Sequence, residues 1–344
     1  MNVHQPPGMR NYTRLGFKKI RAPEKVFSLL QDFWERNKDK QYTEWKSINV
    51  YHNMWDSPPS MVDIQNKSLP GGGRKLRSDV WDAAKDVLED WTGQKLAHCS
   101  IWGIRVYHDG SILAPHVDRN PLVSSAIINV AQDVREPWPL EVWGFDGKPY
   151  NITMEPGDMV LYESHSLIHG RPFPFQGNFY ANVFVHYEVI GSKSEDGEYY
   201  LDEGGQESRD AGLPPYILPG SKWADEWKRS NRNGWKLFTP IDIERATIDG
   251  DIEKLKIQAV MNNTKLFEGD ENDWQPLHLA ARAGKTQVVE YLLKNGADVN
   301  SITNGGRGWT PLRIAMDELG EDHEVCSLLR NAGGRAVNVQ ENEL

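Results

Sequence analysis

The sequence predicts a chain of two fold classes: a barrel or jelly-roll β core supported by preceding helices, then an all-α repeat array. Three observations lead there. Between Ile101 and Ile190, eight short β-rich runs alternate with turn residues. From 191 to 212 the chain becomes polar, with seven acidic residues against two basic ones and few aliphatics. Beyond residue 239 a segment recurs with a period of about 33 residues. The expected divisions are a supporting α/β region over 1–99, the β core over 100–190, an acidic linker with a short helix over 191–238, and the array over 239–336.

The support region contains two helical patterns. Val26, Phe27, Leu29, Leu30, Phe33 and Trp34 cluster on one side of a helix from Glu24 to about Asn37. Pro58, Pro59, Pro70 and Gly71-Gly72-Gly73 mark loops. Ser78 is then the expected N-cap of a second helix carrying Val80, Ala84, Val87, Leu88 and Trp91, which Gly93 stops. The β core follows as IWGIRVYH, ILAPHVD, SSAIINVA, LEVWGF, YNITM, DMVLYES, SLIHGR and NFYANVFVHYEV. A closed β architecture has a mouth and an interior, and a small-molecule site is expected there. After the acidic stretch, Ser221 is positioned to cap a short helix that places Trp223 and Trp227 on one face.

Composition narrows the chemistry. The 344-residue chain has a net charge of −10, ten histidines and only two cysteines, Cys99 and Cys326. Two thiols support neither a disulfide framework nor a thiolate metal cluster, so a metal would be held by histidine and carboxylate. The acidic balance argues against a nucleic-acid-wrapping protein, which needs a basic surface. The stretch Arg10, Arg14, Lys18, Lys19, Arg21 reads as solvated surface, and Gly71-Gly72-Gly73-Arg74-Lys75 lacks the ending of a phosphate loop. No signal peptide or apolar run long enough for a bilayer is visible, so a soluble, intracellular, cytoplasmic protein is expected, with no membrane and no nucleic-acid partner.

The chemistry-bearing residues are His116, Asp118 and His169. Positions i and i+2 of a strand share a face, so His116-Val117-Asp118 directs an imidazole and a carboxylate into one cavity. His169 arrives from a later strand. Two histidines and a carboxylate occupy one face of an octahedron and leave three positions open, the arrangement of non-haem Fe(II) oxygenases. His165 would share the face of His169; the latter is the preferred ligand. His186 on the last strand reads as a packed or surface residue, and His108 as a turn residue.

These segments resemble the Fe(II)/2-oxoglutarate-dependent dioxygenases of the prolyl 4-hydroxylase-like group, with their double-stranded β-helix. The likeness lies in the strand ending at Tyr107, in YHDGSILAPHVDR, EPGDMVLYES and HGRPFPFQG, and covers roughly a quarter of the chain, about Ile101 to Tyr187. It implies Fe(II) bound by His116, Asp118 and His169, with 2-oxoglutarate as cosubstrate, Tyr107 hydrogen-bonding its distal carboxylate, and ascorbate as a further candidate cofactor. The implied reaction couples decarboxylation of 2-oxoglutarate to hydroxylation of a prolyl or other protein residue, or of a small molecule. Where the group has a Lys or Arg some nine or ten positions after the distal histidine, this chain has Asn178 and Phe179. Arg171, two positions past His169 and on its face, is the first substitute, with Arg105 and Arg119 in reserve.

The period in the C-terminal region resembles ankyrin repeats. Asp273–Asn300 (DWQPLHLAARAGKTQVVEYLLKNGADVN) returns as Gly308–Gly334, and Ala246 and Gly250 of a degenerate earlier copy align with Ala280 and Gly284. Gln275 and Arg313 stand where the repeat usually has Thr and His, and His278 is expected to hydrogen-bond within its turn. Such repeats imply recruitment of a protein partner or substrate. The alternative reading is a catalytically weak β-helix scaffold acting as an ankyrin adaptor.

Overall fold

Strands that alternate between two facing sheets shape the first half of the protein. The computed structural model describes residues 4–44, 57–197, 199–237 and 241–337, and the chain divides into two compact units, Met1–Thr239 and Pro240–Leu344. The first unit opens with β1 (Phe17–Arg21), α1 (Glu24–Asn37), β2 (Tyr42–Thr43), β3 (Ser60–Asp63), α2 (Arg74–Thr92) and β4 (Gln94–Ser100). Then follow β5 (Gly103–Tyr107), β6 (Leu113–His116), β7 (Ser124–Val134), β8 (Leu140–Trp143), β9 (Pro149–Ile152), β10 (Asp158–Tyr162), β11 (His169–Arg171) and β12 (Gly177–Lys193). These are the eight strands that the β-rich runs predict.

One sheet carries β5, β12, β7 and β10 in the lateral order β10-β7-β12-β5; the other runs β6-β11-β8-β9. The chain crosses from one sheet to the other and back, which is the double-stranded β-helix form of the jelly roll. The supporting region is continuous with it, since β1 pairs with β10, β3 with β5 and β4 with β12.

Side-chain alternation along β12 divides the interior. Ala181, Val183, Val185, Tyr187 and Val189 face outward from the barrel onto Val26, Leu30, Phe33 and Trp34 of α1 and Val80, Trp81, Ala84 and Leu88 of α2, in one buried cluster. The intervening positions, Tyr180, Asn182, Phe184 and His186, turn into the space between the sheets, where Ile127, Leu140, Val142, Val160 and Tyr162 form a second cluster. The helices close the open face of the large sheet, and the other face is left for chemistry.

The second helix begins earlier than expected. Gly73, at φ +115°, is its N-cap, Gly73 N donates to Ile64 O at 2.8 Å, and Ser78 lies inside the helix with its hydroxyl 3.3 Å from Asp82. A glycine tolerates that backbone angle, so the turn into helix comes at Gly73 and not at the first good hydroxyl cap. Gly93 stops the helix in the left-handed conformation, as the sequence predicts.

The stretch read as an acidic linker is instead built into the first unit. β12 runs on to Lys193, β13 (Tyr199–Tyr200) pairs with it, and α3 (Glu203–Asp210) and α4 (Lys222–Ser230) follow. Asp202 caps α3 by accepting from Gly205 N at 2.7 Å and pairs with Arg10 at 2.8 Å, so its charge is structural. Ser221 caps α4, as expected. Leu213, Tyr216, Ile217, Ala224 and Trp227 are all in the main core cluster. Window composition hid them, because the acidic residues lie on the surface while the anchors come just after.

The second unit is a succession of short helix pairs: Ile243–Asp249 with Ile252–Asn262, Pro276–Arg282 with Thr286–Lys294, and Pro311–Leu319 with Glu324–Asn331. They share a core of Leu255, Leu277, Ala280, Val289, Leu292, Leu312, Ala315 and Leu329. His278 Nδ1 accepts from Gln275 N at 3.1 Å and Nε2 meets Ser301 O at 3.0 Å, so the imidazole ties its turn to the next. Among the described residues, no helix is long and apolar enough to cross a membrane.

Ile217→Ala in the full chain is expected to lower the stability of the first unit by roughly 2–5 kcal/mol, the cost of emptying a packed aliphatic site. Urea unfolding followed by tryptophan fluorescence measures this; a linker residue would show no loss.

Candidate metal centre and anion pocket

Antiparallel pairing of β11 with β6 sets His169 directly opposite His116. Their ring centroids are 4.4 Å apart. Asp118 lies just beyond the end of β6 and is held by its backbone: its N–H donates to Ser164 O at 2.8 Å, and its carbonyl accepts from Gln5 Nε2 at 2.6 Å. The carboxylate thereby reaches the same point, with Asp118 Oδ1 3.5 Å from His116 Nε2 and 3.9 Å from His169 Nε2. One ligand atom from each of the three residues lies within 4.8 Å of the others.

The histidine tautomers suit a metal. His116 Nδ1 is 2.8 Å from Ala114 O, and His169 Nδ1 is 2.9 Å from Leu167 O. A carbonyl can only accept, so each Nδ1 carries the proton and each Nε2 presents a lone pair to the shared point. Burial lowers the His169 imidazole to about 4, which keeps it neutral. Burial by itself would raise the Asp118 carboxyl; the surrounding imidazoles of His116, His169 and His186 outweigh that and hold it below the usual carboxylate range. Two imidazole nitrogens and one carboxylate oxygen fit an Fe(II) face.

His165 is committed elsewhere, with Nδ1 2.9 Å from Val123 O and Nε2 2.9 Å from Arg10 O. His186, read from sequence as packed or surface, lies beside the triad: its Nδ1 is 3.6 Å from Asp118 Oδ2 and 2.7 Å from Ser125 Oγ. Strand alternation from Tyr180 was the signal that could have placed it. His108 bonds Ser60 Oγ at 2.9 Å near its turn. His4 contacts Glu226, His98 contacts Asp82, and His323 caps the last helix, while His52 lies outside the described residues.

Two residues beyond His169 on β11 lies a buried cation packed among aromatic rings. Arg171 is 1% exposed, its guanidinium 4.6 Å from the Trp138 ring centroid and 4.4 Å from that of Tyr180. It donates to Trp138 O and, at 3.1 Å, to Tyr180 Oη. Among the described residues it has no carboxylate within ion-pair distance. Arg105, half-buried, differs: Glu44 neutralises it at 2.7 Å. Arg119 is exposed at the end of the His116-Asp118 segment. Tyr107 is 1% exposed and packs edge-on against Trp138, and its buried hydroxyl, with Arg105 nearby, has no closely aligned hydrogen bond among the described residues. Tyr162 Oη and both amide atoms of Asn182 are likewise buried without one. Asn178 bonds Asp133 at 2.7 Å and Phe179 packs near Trp34, so neither supplies charge to the pocket.

The N-terminal segment supports this arrangement. Gln5 Nε2 also donates to His165 O at 2.7 Å. Glu163 accepts from Tyr12 N at 2.7 Å, Thr13 N at 2.8 Å and Thr13 Oγ1 at 2.6 Å.

Residues 244–341 match the ankyrin-repeat family in three copies, and the C-terminal unit is built of these repeats. The chain is similar to human "SMC5-SMC6 complex localization factor protein 1", 30% identical over 116 residues, or 33% of this chain and 11% of that protein. It is also similar to mouse "Arf-GAP with coiled-coil, ANK repeat and PH domain-containing protein 2", 29% identical over 153 residues, 43% of this chain and 19% of that protein. It therefore spans about a tenth and a fifth of the length of these two relatives. Among solved structures, a Trichoplax adhaerens prolyl hydroxylase bound to a peptide fragment of the hypoxia inducible factor oxygen degradation domain aligns with 50% of this chain and 83% of its own, at 12% identity and TM-score 0.38. A Pseudomonas putida prolyl-4-hydroxylase aligns with 52% of this chain and 94% of its own, at 14% identity and TM-score 0.34.

Burial pushes the Glu163 carboxyl up to about 7, against the lowering effect of its donors from Thr13 and Tyr12. The folded chain thus retains a proton that the unfolded chain releases near the ordinary value of 4.5. Glu163 contributes its stability below that value, and the contribution is lost as pH rises towards 7. The melting temperature of the wild type should therefore fall relative to Glu163→Gln across this interval; a constant difference between the two would contradict the assignment.

Proposed function

We propose that the first unit is an Fe(II)- and 2-oxoglutarate-dependent dioxygenase that hydroxylates a protein residue, a prolyl residue being the simplest case, or a small molecule, and that the ankyrin repeats recruit a protein partner or substrate. The observation that carries this reading is Arg171. A guanidinium buried without a carboxylate is costly to maintain, and the cost is met when a ligand brings the missing negative charge. Its position two residues past His169 on β11 would suit a dicarboxylate held between Arg171 and the triad.

His116 Nε2, Asp118 Oδ1 and His169 Nε2 would hold the iron, with the histidines locked in orientation by Ala114 O and Leu167 O. Arg171 and the Tyr107 hydroxyl would take the distal carboxylate of 2-oxoglutarate. When bound, iron and 2-oxoglutarate would supply dioxygen activation: dioxygen is the oxidant, one of its oxygen atoms going to the substrate as hydroxyl and the other to succinate as the cosubstrate is oxidised and loses CO2. Trp138, Phe175 and Tyr180 are buried in one cluster around Arg171, and such low-polarity surroundings would strengthen its contact with a carboxylate. Ascorbate would serve as an auxiliary reductant. The neutralised Arg105 is better suited to fixing Tyr107, whose ring lies 5.9 Å from its guanidinium, than to binding an anion.

Anaerobic addition of Fe(II) and 2-oxoglutarate is expected to produce a visible charge-transfer band, followed by succinate release on admission of air. Absence of both would favour the scaffold reading, in which the repeats act alone. Arg171→Ala should weaken 2-oxoglutarate binding about a hundredfold or more, the scale expected for stripping one member from a buried charge pair, while leaving Fe(II) affinity near that of the wild type. Unchanged cosubstrate affinity would remove Arg171 from this role.

A further inference from the structure

The buried face of β12 carries a histidine with no part in the scheme above. We propose that His186 is a positioning residue that holds Asp118 to a single metal-facing oxygen. The inference rests on reading His116, Asp118 and His169 as the metal face.

Proton bookkeeping fixes the state of His186. Ser164 Oγ lies 3.0 Å from Leu122 O, an acceptor only, so its one proton goes there. Ser125 Oγ, 2.7 Å from Ser164 Oγ, must then donate to it. With the Ser125 proton committed, the 2.7 Å contact between His186 Nδ1 and Ser125 Oγ requires Nδ1–H as donor. That same N–H edge lies 3.6 Å from Asp118 Oδ2. Register supports the arrangement, since His186 and Ser125 are direct cross-strand partners between β12 and β7, and Phe184 stacks with His186 at an interplanar angle of 3°.

The two carboxylate oxygens of Asp118 therefore have different surroundings. Oδ1 faces His116 Nε2 and His169 Nε2, whereas Oδ2 lies beside the N–H edge of His186, and the buried Tyr162 hydroxyl also acts on the carboxylate. A buried carboxylate oxygen would gain by swinging onto a bound metal. Attraction to the His186 edge opposes that swing, so Asp118 would occupy one coordination position and leave the others free. The polar chain Leu122–Ser164–Ser125–His186 fixes the tautomer on which this depends.

Co(II) titration of the full chain tests the inference, with affinity and the visible d–d bands as readouts, since those bands respond to coordination number. The native chain is expected to bind one Co(II). His186→Phe, which keeps a ring but has no donor, should bind 10–100-fold more weakly, the range typical of lost outer-sphere partners, with changed bands. His186→Asn, whose Nδ2 can replace the ring Nδ1, should recover most of the affinity and the native bands. Thermal melting without metal checks the folding of each variant, and His186→Ala replaces His186→Phe if the latter does not melt cooperatively. Native-like affinity and bands in the donor-free variant, or equal loss in His186→Asn, would overturn the role of His186. A native chain that binds no Co(II) would overturn the metal reading itself, and this inference with it, by a result visible before any variant is made.

Discussion

The pairing of β11 with β6 is the contact on which the site depends. It puts His169 opposite His116 and sets the position from which Asp118 must be reached. A one-residue slip in that register would turn either histidine away from the shared point. The rest of the first unit can be understood as preserving this pairing. β8 flanks β11 on its other edge, and the core between the sheets packs Val142, Tyr162 and Leu167 beside the histidine. The two helices occupy the opposite face of the large sheet.

Charge is distributed with the same economy. Carboxylates partner most buried or half-buried cations of the first unit: Glu44 for Arg105, Asp202 for Arg10, Glu89 for Lys95. Arg171 receives aromatic rings, a carbonyl and a phenol instead. The contrast between Arg105 and Arg171, both inside the same barrel, distinguishes a structural ion pair from a guanidinium with its charge still unmatched.

Local patterning made the fold legible in the sequence. Alternation in the runs from IWGIRVYH to NFYANVFVHYEV specified eight strands, and helical spacing from Val26 to Trp34 specified α1. His116-x-Asp118 and the distant His169 were visible as a pattern of residue types, although Asp118 lies just beyond β6 and is held by its own backbone bonds. What escaped was nonlocal. Nothing near Glu44 announces that it meets Arg105, 61 positions on. His186 looked ordinary because its partners, Asp118 and Ser125, come from other strands. The acidic stretch failed for a different reason, since mean composition does not register the few apolar anchors at Leu213, Tyr216 and Ile217 that decide whether a segment docks.

The N-terminal segment gives the protein a particular order of assembly. Gln5 supports the carbonyl of Asp118, while Arg10 N donates to Tyr216 O and Met9 bridges Ile217. During synthesis the first of these residues leave the ribosome some two hundred positions ahead of the last. The segment therefore waits, without its final partners, until α3 and the loop after it have emerged. The triad can gather its three ligands once β11 is made, but its backing is complete only when the chain has closed this circuit from one end of the first unit to the other.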